Sequence, residues 1–269
     1  MRNNRKIMIA GNWKEHFTVS QASLFLHRLQ ENVENRQSVE VVLFPNILVL
    51  QPLSVQIDRR KFRLGAQDGY HKDAGTYTGE VSMAMMRDLV HYVLVGHSER
   101  RHIFHENDDD AAKKVQAAVR NGIMPVLCIG ETLPEKLAGE TNQILHNQIT
   151  AGLMHLTARE VAATVIAYEP VWAISDGKNP TPATPEEVQK RLLFIRKQVE
   201  SLFGARVAQQ IRVLYGGSVD DQNARAFLDL DGCDGALVGG ASLHAHKFAG
   251  IVEAAFRLQQ DRMKDDDNK

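Results

Sequence analysis

A glutamate, Glu169, closes the apolar run Thr164–Tyr168 in the string Ala-Tyr-Glu-Pro-Val-Trp. At the end of an apolar strand, partial desolvation is expected to raise a carboxylate's pKa toward useful basicity. His97 stands in Val-Gly-His-Ser-Glu-Arg, after another apolar run and just before a short helical turn. A helix N-terminus disfavours imidazolium, so this ring is expected to stay neutral and to donate from an N–H. Lys14, in Gly11-Asn12-Trp13-Lys14, follows the first apolar run and can neutralise a bound anion or a developing oxyanion. Two glycine pairs, Gly216-Gly217 (followed by Ser218) and Gly239-Gly240, come after the last two apolar runs. Glycine lets backbone N–H groups approach an anion closely, and Ser218 can add its own N–H and hydroxyl. A neutral imidazole and a carboxylate base beside a phosphate cradle point to one reaction class: proton abstraction next to a carbonyl, through an enediolate.

Taken singly, each feature has a plainer reading. A lone histidine is more often structural than catalytic, a lysine after tryptophan is usually on the surface, and paired glycines can simply make tight turns. What joins them is their position along the chain. Short apolar runs, nearly continuous in hydrophobic residues as parallel strands covered on both faces are, recur at Ile7–Ala10, Val39–Phe44, Phe62–Ala66, Tyr92–Val95, Met124–Ile129, Thr164–Tyr168, Ile211–Tyr215 and Gly235–Val238. Between them lie helical periodicities, such as Leu24-Phe25, Leu29 and Val33, and Ala111-Ala112, Val115 and Ala118-Val119. Thr184-Pro185-Glu186-Glu187 reads as a capping box with proline at the first helical position. Asp108-Asp109-Asp110 reads as an acidic helix start. Eight strand–helix units at about 34 residues each predict an α/β fold, a closed (β/α)8 barrel of eight parallel strands with outer helices. All the polar and glycine-rich residues above then ring the C-terminal face, where sites of this architecture are built. An open doubly wound sheet is the competing arrangement, but the first strand lacks a G-x-G-x-x-G turn.

Composition narrows the function. The 269 residues carry a net charge of −1, which offers no field to gather nucleic acid or an anionic membrane, so neither is expected as a partner. No composition break divides the chain, so residues 1–269 read as one barrel domain with a polar, fraying tail after about 262. Two cysteines, Cys128 and Cys233, lie in strand-like apolar runs and read as buried thiols. The basic start is followed by too short an apolar run for a signal peptide, and no stretch reaches membrane-spanning length, so a cytoplasmic protein is expected. His27, His102, His105, His146, His155, His244 and His246 show no zinc-site spacing at strand ends and read as surface or helix-packing residues.

The same runs, Gly11-Asn12-Trp13-Lys14, Gly65-Ala66-Gln67, Tyr77-Thr78-Gly79-Glu80, Gly96-His97-Ser98-Glu99-Arg100-Arg101, Val126 to Thr132, Ala167 to Ile174, Tyr215 to Val219 and Gly235 to Leu243, closely resemble the triosephosphate isomerase family in order along essentially the whole chain. That enzyme is itself the standard worked case of a glutamate base and a neutral histidine beneath a closing loop. The resemblance implies interconversion of dihydroxyacetone phosphate and D-glyceraldehyde 3-phosphate in glycolysis and gluconeogenesis, without metal or cofactor. It implies that Glu169 moves the proton, that His97 polarises the carbonyl, and that Lys14 and Asn12 stabilise negative charge. Backbone N–H groups of Ser175, Ser218, Gly239 and Gly240 would hold the phosphate, and Glu99 and Glu131 would support the site residues or be buried polar partners rather than first-line catalysts. It further implies a homodimer through the loop Asp73 to Glu80, with Thr78 at its tip.

Three departures fall at the site. Ser175-Asp176-Gly177-Lys178 stands where the family typically has Gly-Thr-Gly-Lys, at the tip of the lid. An Asp176 charge about 6 Å from the phosphate would repel it by roughly 3 kcal/mol at an effective dielectric of about 20. Pro180 replaces a small residue at the lid's end and stiffens it. Asp68 follows Ala-Gln where asparagine is usual, and it is expected to pair with Lys14, to repel substrate, or to be a replacement of similar shape. Two alternatives remain on sequence: an isomerase of a four-carbon ketose phosphate, and a barrel that binds sugar phosphate but is catalytically silent.

Overall fold

The computed structural model describes residues 5–33, 38–174 and 182–267. Eight parallel strands close into a barrel in sequence order: β1 (Ile7–Asn12), β2 (Val39–Phe44), β3 (Arg63–Ala66), β4 (Tyr92–Val95), β5 (Met124–Ile129), β6 (Val165–Tyr168), β7 (Arg212–Tyr215) and β8 (Gly235–Val238). The register Met8↔Gly235 to Gly11↔Val238 joins β1 to β8 and closes the ring. Each predicted strand is present within one or two residues of its expected bounds.

The apolar runs are continuous because each strand serves two cores. In β1, Met8 and Ala10 point into the barrel, where they meet Phe44, Leu94, Val126 and Leu237. Ile7 and Ile9 point outward against the helical layer, into a second core that includes Leu26, Val115, Leu192 and Phe248. A period-2 strand with both faces buried cannot show polar alternation. At the N-terminal end of the barrel the interior turns polar. Tyr92 donates to Glu40 at 3.0 Å and accepts from Arg212 at 2.7 Å, and Arg212 also pairs with Glu40. Beside them, Asp234 receives Arg5, Arg196 and the N–H of Val213, so its buried carboxylate is satisfied from three directions.

The helix starts follow local rules. Asn107 caps the helix Asp108–Arg120 by accepting the Asp110 N–H, while the Asp110 carboxylate accepts the N–H of Asn107. Thr184 and Glu187 form the same reciprocal box ahead of Pro185–Phe203. The end of the chain departs from expectation. The last helix, Ala245–Asp267, continues beyond Arg262 instead of stopping there. Arg262 is drawn inward and donates to the Leu228 carbonyl at 2.8 Å, and Gln259 is buried, so the helix is anchored up to the point where the polar tail begins. Both cysteines are buried as free thiols, and burial pushes Cys233 up to about 12.

Among the described residues, three non-glycine residues hold left-handed backbone: Lys14 (φ 50°), Phe17 (φ 71°) and His105 (φ 60°). The Phe17 ring packs against Trp13 and Phe25 with centroids 5.3 and 5.0 Å away, which offsets its strain. His105 is exposed and has no such compensation. His105→Gly is therefore expected to stabilise the fold by about 1 kcal/mol. A thermal midpoint unchanged or lowered in that variant would refute the strain.

Candidate active site

The C-terminal ends of the strands converge on a cleft of about 510 Å³ lined by Asn12, Lys14, His97, Glu169, Gly216 to Asp220 and Gly239 to Ala241, among others. Asn12 is the last residue of β1, and its side-chain oxygen accepts the N–H of Lys14 at 3.0 Å. This turns its amide nitrogen toward the ring of His97, 3.2 Å from Nε2. Lys14, held in left-handed backbone, reaches Glu99 at 2.6 Å and lies beside Gly239, where an added Cβ would be 3.9 Å from its Nζ.

His97 caps the short helix Ser98–His102, and its Nδ1 accepts the N–H of Glu99 at 3.3 Å. The ring proton is thereby assigned to Nε2, which faces Glu169 Oε1 at 3.1 Å. The other Glu169 oxygen accepts the N–H of Ser98 at 3.0 Å. Gly216 makes room for this arrangement, since a Cβ there would lie 2.8 Å from Glu169 Cγ. Glu169 and His97 are almost fully buried, at 2% and 6% exposure, so each satisfies the other without solvent.

The electrostatics correct one expectation. Burial does push the Glu169 carboxyl up, but His97, the Ser98 N–H and Lys14 together outweigh it and hold the group below the ordinary glutamate range. In this resting arrangement Glu169 is an ionised base held by its neighbours, not one whose basicity is raised. Burial pushes His97 down, and the Glu169 carboxylate overrides it and raises the ring's proton affinity. In the neutral ring Nδ1 accepts the Glu99 N–H and the proton sits on Nε2, while the Glu99 carboxylate, 3.6 Å from Nδ1, adds to the pull that raises the ring's proton affinity.

The glycine-rich turns after β7 and β8 supply the rest. Among the described residues, the backbone N–H groups of Ser218, Gly239 and Gly240 have no hydrogen-bond acceptor, and all three residues line the cleft. N–H groups without acceptors that line one cleft are able to hold an anion. The Ser218 hydroxyl is not part of it, because it donates to the Ala173 carbonyl at 2.9 Å. Ser175, Asp176 and Pro180 lie outside the described residues.

Of the two expected partners Glu131 is buried and Glu99 is not, its side chain being 37% exposed. Glu99 pairs with Lys14, and Glu131 accepts from the Tyr168 hydroxyl at 3.2 Å and the Trp172 indole at 2.9 Å. Lys136 covers the Trp172 ring at 3.3 Å. Asp68 contacts Lys114 at 2.7 Å and Arg100 at 3.0 Å, not Lys14, and Glu106 completes that cluster. Burial raises the Asp68 pKa. Two further residues line the cleft: His244, read as a surface or helix-packing histidine, and Lys247, which carried no sequence signal. Ser98 had no assigned role either, although the first residue of a helix always carries a free N–H.

Fold and site together define a class: a (β/α)8-barrel enzyme whose carboxylate–imidazole pair shares one cleft with a backbone anion cradle. Within that class, the family model described as triosephosphate isomerase matches residues 7–255. Proteins named triosephosphate isomerase are similar to the chain throughout. That of Lactococcus lactis subsp. cremoris is 42% identical over 251 residues, covering 93% of this chain and 98% of that protein. That of Symbiobacterium thermophilum is 43% identical over 252 residues (93% and 97%), and that of Clostridium tetani 41% over 249 residues (92% and 96%). The chain belongs to the triosephosphate isomerase family.

Proposed function

We propose that the chain interconverts dihydroxyacetone phosphate and D-glyceraldehyde 3-phosphate by proton transfer through an enediolate, as a cytoplasmic enzyme of glycolysis and gluconeogenesis. The observation that carries this reading is the convergence of Glu169, His97, Asn12 and Lys14 on the cleft that also holds the N–H groups of Ser218, Gly239 and Gly240, which have no acceptor among the described residues. The phosphate takes the N–H groups of Ser218, Gly239 and Gly240. The carbonyl oxygen then takes the Nε2–H of His97, which the resting enzyme directs at Glu169. Substrate binding therefore exchanges a carboxylate–imidazole contact for an imidazole–carbonyl one. Glu169, released from His97 and from the Ser98 N–H, removes a proton from one substrate carbon and returns it to the next. Lys14 and the Asn12 amide stabilise the charge that develops on oxygen. A catalytically silent binder has no use for a buried carboxylate aimed at an imidazole.

A coupled assay with both triose phosphates, run with a four-carbon ketose phosphate as competitor, tests the reading. Turnover of the three-carbon pair in both directions is expected. No turnover, or preferential use of the four-carbon compound, would overturn it.

The single barrel is proposed to act as a homodimer through the loop Asp73 to Glu80. Supporting this, the segment 72–80 is exposed, and Tyr77, Met85, Ile47 and Leu48 present apolar surface on the adjacent connections after β2 and β3. Asp73 is already fixed by Arg120 at 2.9 Å and Asn121 at 3.0 Å, so one end of the loop is held ready. Sedimentation equilibrium is expected to give twice the chain mass, and a monomer at micromolar concentration would reject the dimer.

A further inference from the structure

Formal charge in the cleft is scarce. Among the described lining residues, Lys14 and Lys247 are opposed by the carboxylates of Glu169 and Asp220. Lys14 is further engaged by Glu99 at 2.6 Å. The anion cradle itself consists of backbone dipoles and contributes no net charge. A phosphate dianion must therefore enter a cleft that, without Lys247, is net negative.

Lys247 is unlike Lys14 in having no ion-pair partner among the described residues. Asp220 forms no ion pair with it, and the Asp220 Oδ1 accepts the N–H groups of Gln222 and Asn223 at 2.9 and 3.0 Å. Asp221 is turned toward Gln222. Yet Lys247 is half-buried on the cleft wall rather than extended into water. Its backbone is fixed there by close packing. Gly250, one turn further along the same helix face, approaches the 216–221 turn so closely that an added Cβ would lie 2.9 Å from Asp221 Cβ.

The helical position sharpens the point. Lys247 is the third residue of Ala245–Asp267, and the first turn of that helix contains no carboxylate. Carboxylates are favoured there and cations disfavoured by the helix dipole. An unpaired lysine held in a place that its own helix disfavours is stabilised once an anion occupies the cleft.

We infer that Lys247 is a further substrate-binding residue, a cation on the outer wall of the cleft that attracts and holds the phosphate dianion. This rests on the proposed sugar-phosphate reading and deepens it. Lys14 serves the reacting oxygen, and Lys247 serves the end of the substrate that does not react. Such binding is present equally in ground and transition states, so it acts on KM rather than on kcat.

Lys247→Gln is the test, with Lys247→Arg as its charge-conserving partner. For Lys247→Gln, KM for either triose phosphate and the inhibition constant of inorganic phosphate are expected to rise about fivefold, with kcat little changed. The fall of kcat/KM with ionic strength should be shallower than in the parent. Lys247→Arg should restore all three quantities. Unaltered KM and phosphate inhibition in Lys247→Gln would overturn the inference. So would a rise that Lys247→Arg fails to reverse, which would assign the effect to packing of the lysine stem. Calorimetric binding of inorganic phosphate reads the lysine without turnover. A parent that does not isomerise triose phosphates thus refutes the proposed function, whereas equal phosphate affinity in parent and Lys247→Gln refutes the role of Lys247.

Discussion

Glu169→Gln is expected to lower kcat by about 10³–10⁴-fold while leaving the barrel folded. The substitution changes no volume and keeps an oxygen that can accept the Ser98 N–H. What it removes is the capacity to hold a proton in transit between two carbons, and among the described residues lining the cleft the only other carboxylate, Asp220, is committed to backbone N–H groups. There is a secondary structural cost. In the resting enzyme both Glu169 oxygens accept, one from Ser98 and one from His97. A glutamine offers one acceptor and one donor, so one of the two buried N–H groups loses its partner, at about 1–3 kcal/mol. The thermal midpoint should fall modestly, and circular dichroism should remain that of a folded α/β protein. Steady-state kinetics read beside the parent decide the matter. A kcat within tenfold of the parent would mean that Glu169 is not the base.

The strands and the ring of candidate residues were legible for one reason. In a closed parallel barrel the strands are apolar on both faces, here except for the polar layer of Glu40 and Arg212 at the N-terminal end, and the chemically able residues sit at a strand's end or a position or two beyond it. Asn12, Lys14, His97 and Glu169 all obey that rule, and linear sequence is enough to place them on one rim. Their electrostatics were not legible in the same way. The pKa of Glu169 moves down because the Ser98 N–H and the His97 ring, some seventy residues earlier, arrive within hydrogen-bond distance of a carboxylate whose own neighbourhood is apolar. Asp68 shows the same limit. It lies two residues past a strand, near Lys14 in sequence logic, but barrel closure hands it to Lys114 and Arg100 instead. His244 read only as a surface or helix-packing residue and Lys247 carried no signal, because nothing in their spacing reveals that the last helix is pressed against the 216–221 turn. Local pattern fixes which elements exist. Which side chain of one element meets which of another depends on packing distances that no periodicity encodes.

Gly130 carries the consequence of such a packing distance into catalysis. Strands β5 and β6 run in register from Val126↔Val165 to Ile129↔Tyr168. Just beyond, the N–H of Glu169 donates to the Ile129 carbonyl at 2.7 Å, which sets the backbone of the base. The next residue, Gly130, is clamped by Gln148, whose side-chain oxygen accepts its N–H at 2.8 Å and whose amide donates to its carbonyl at 3.3 Å. A Cβ on Gly130 would lie 1.8 Å from the Glu169 carbonyl oxygen and 2.6 Å from its carbonyl carbon. Both are backbone atoms, so no side chain can rotate away, and the ends of the two strands must part by about 1 Å. For a base that must meet a substrate carbon in near-attack geometry, a displacement of that size costs about 10²-fold. Gly130→Ala is therefore expected to lower kcat by about that factor and to destabilise the fold by about 1–3 kcal/mol. The assay has to be made well below the variant's thermal midpoint, with the folded fraction checked by circular dichroism, so that lost activity reflects a misplaced carboxylate rather than unfolded chain. Unchanged kcat in fully folded Gly130→Ala would show that the strand ends absorb the extra atom without moving Glu169. The loss of rate would then have to be sought only among the side chains that touch the substrate, and the close approach of β5 to β6 would be a matter of packing alone.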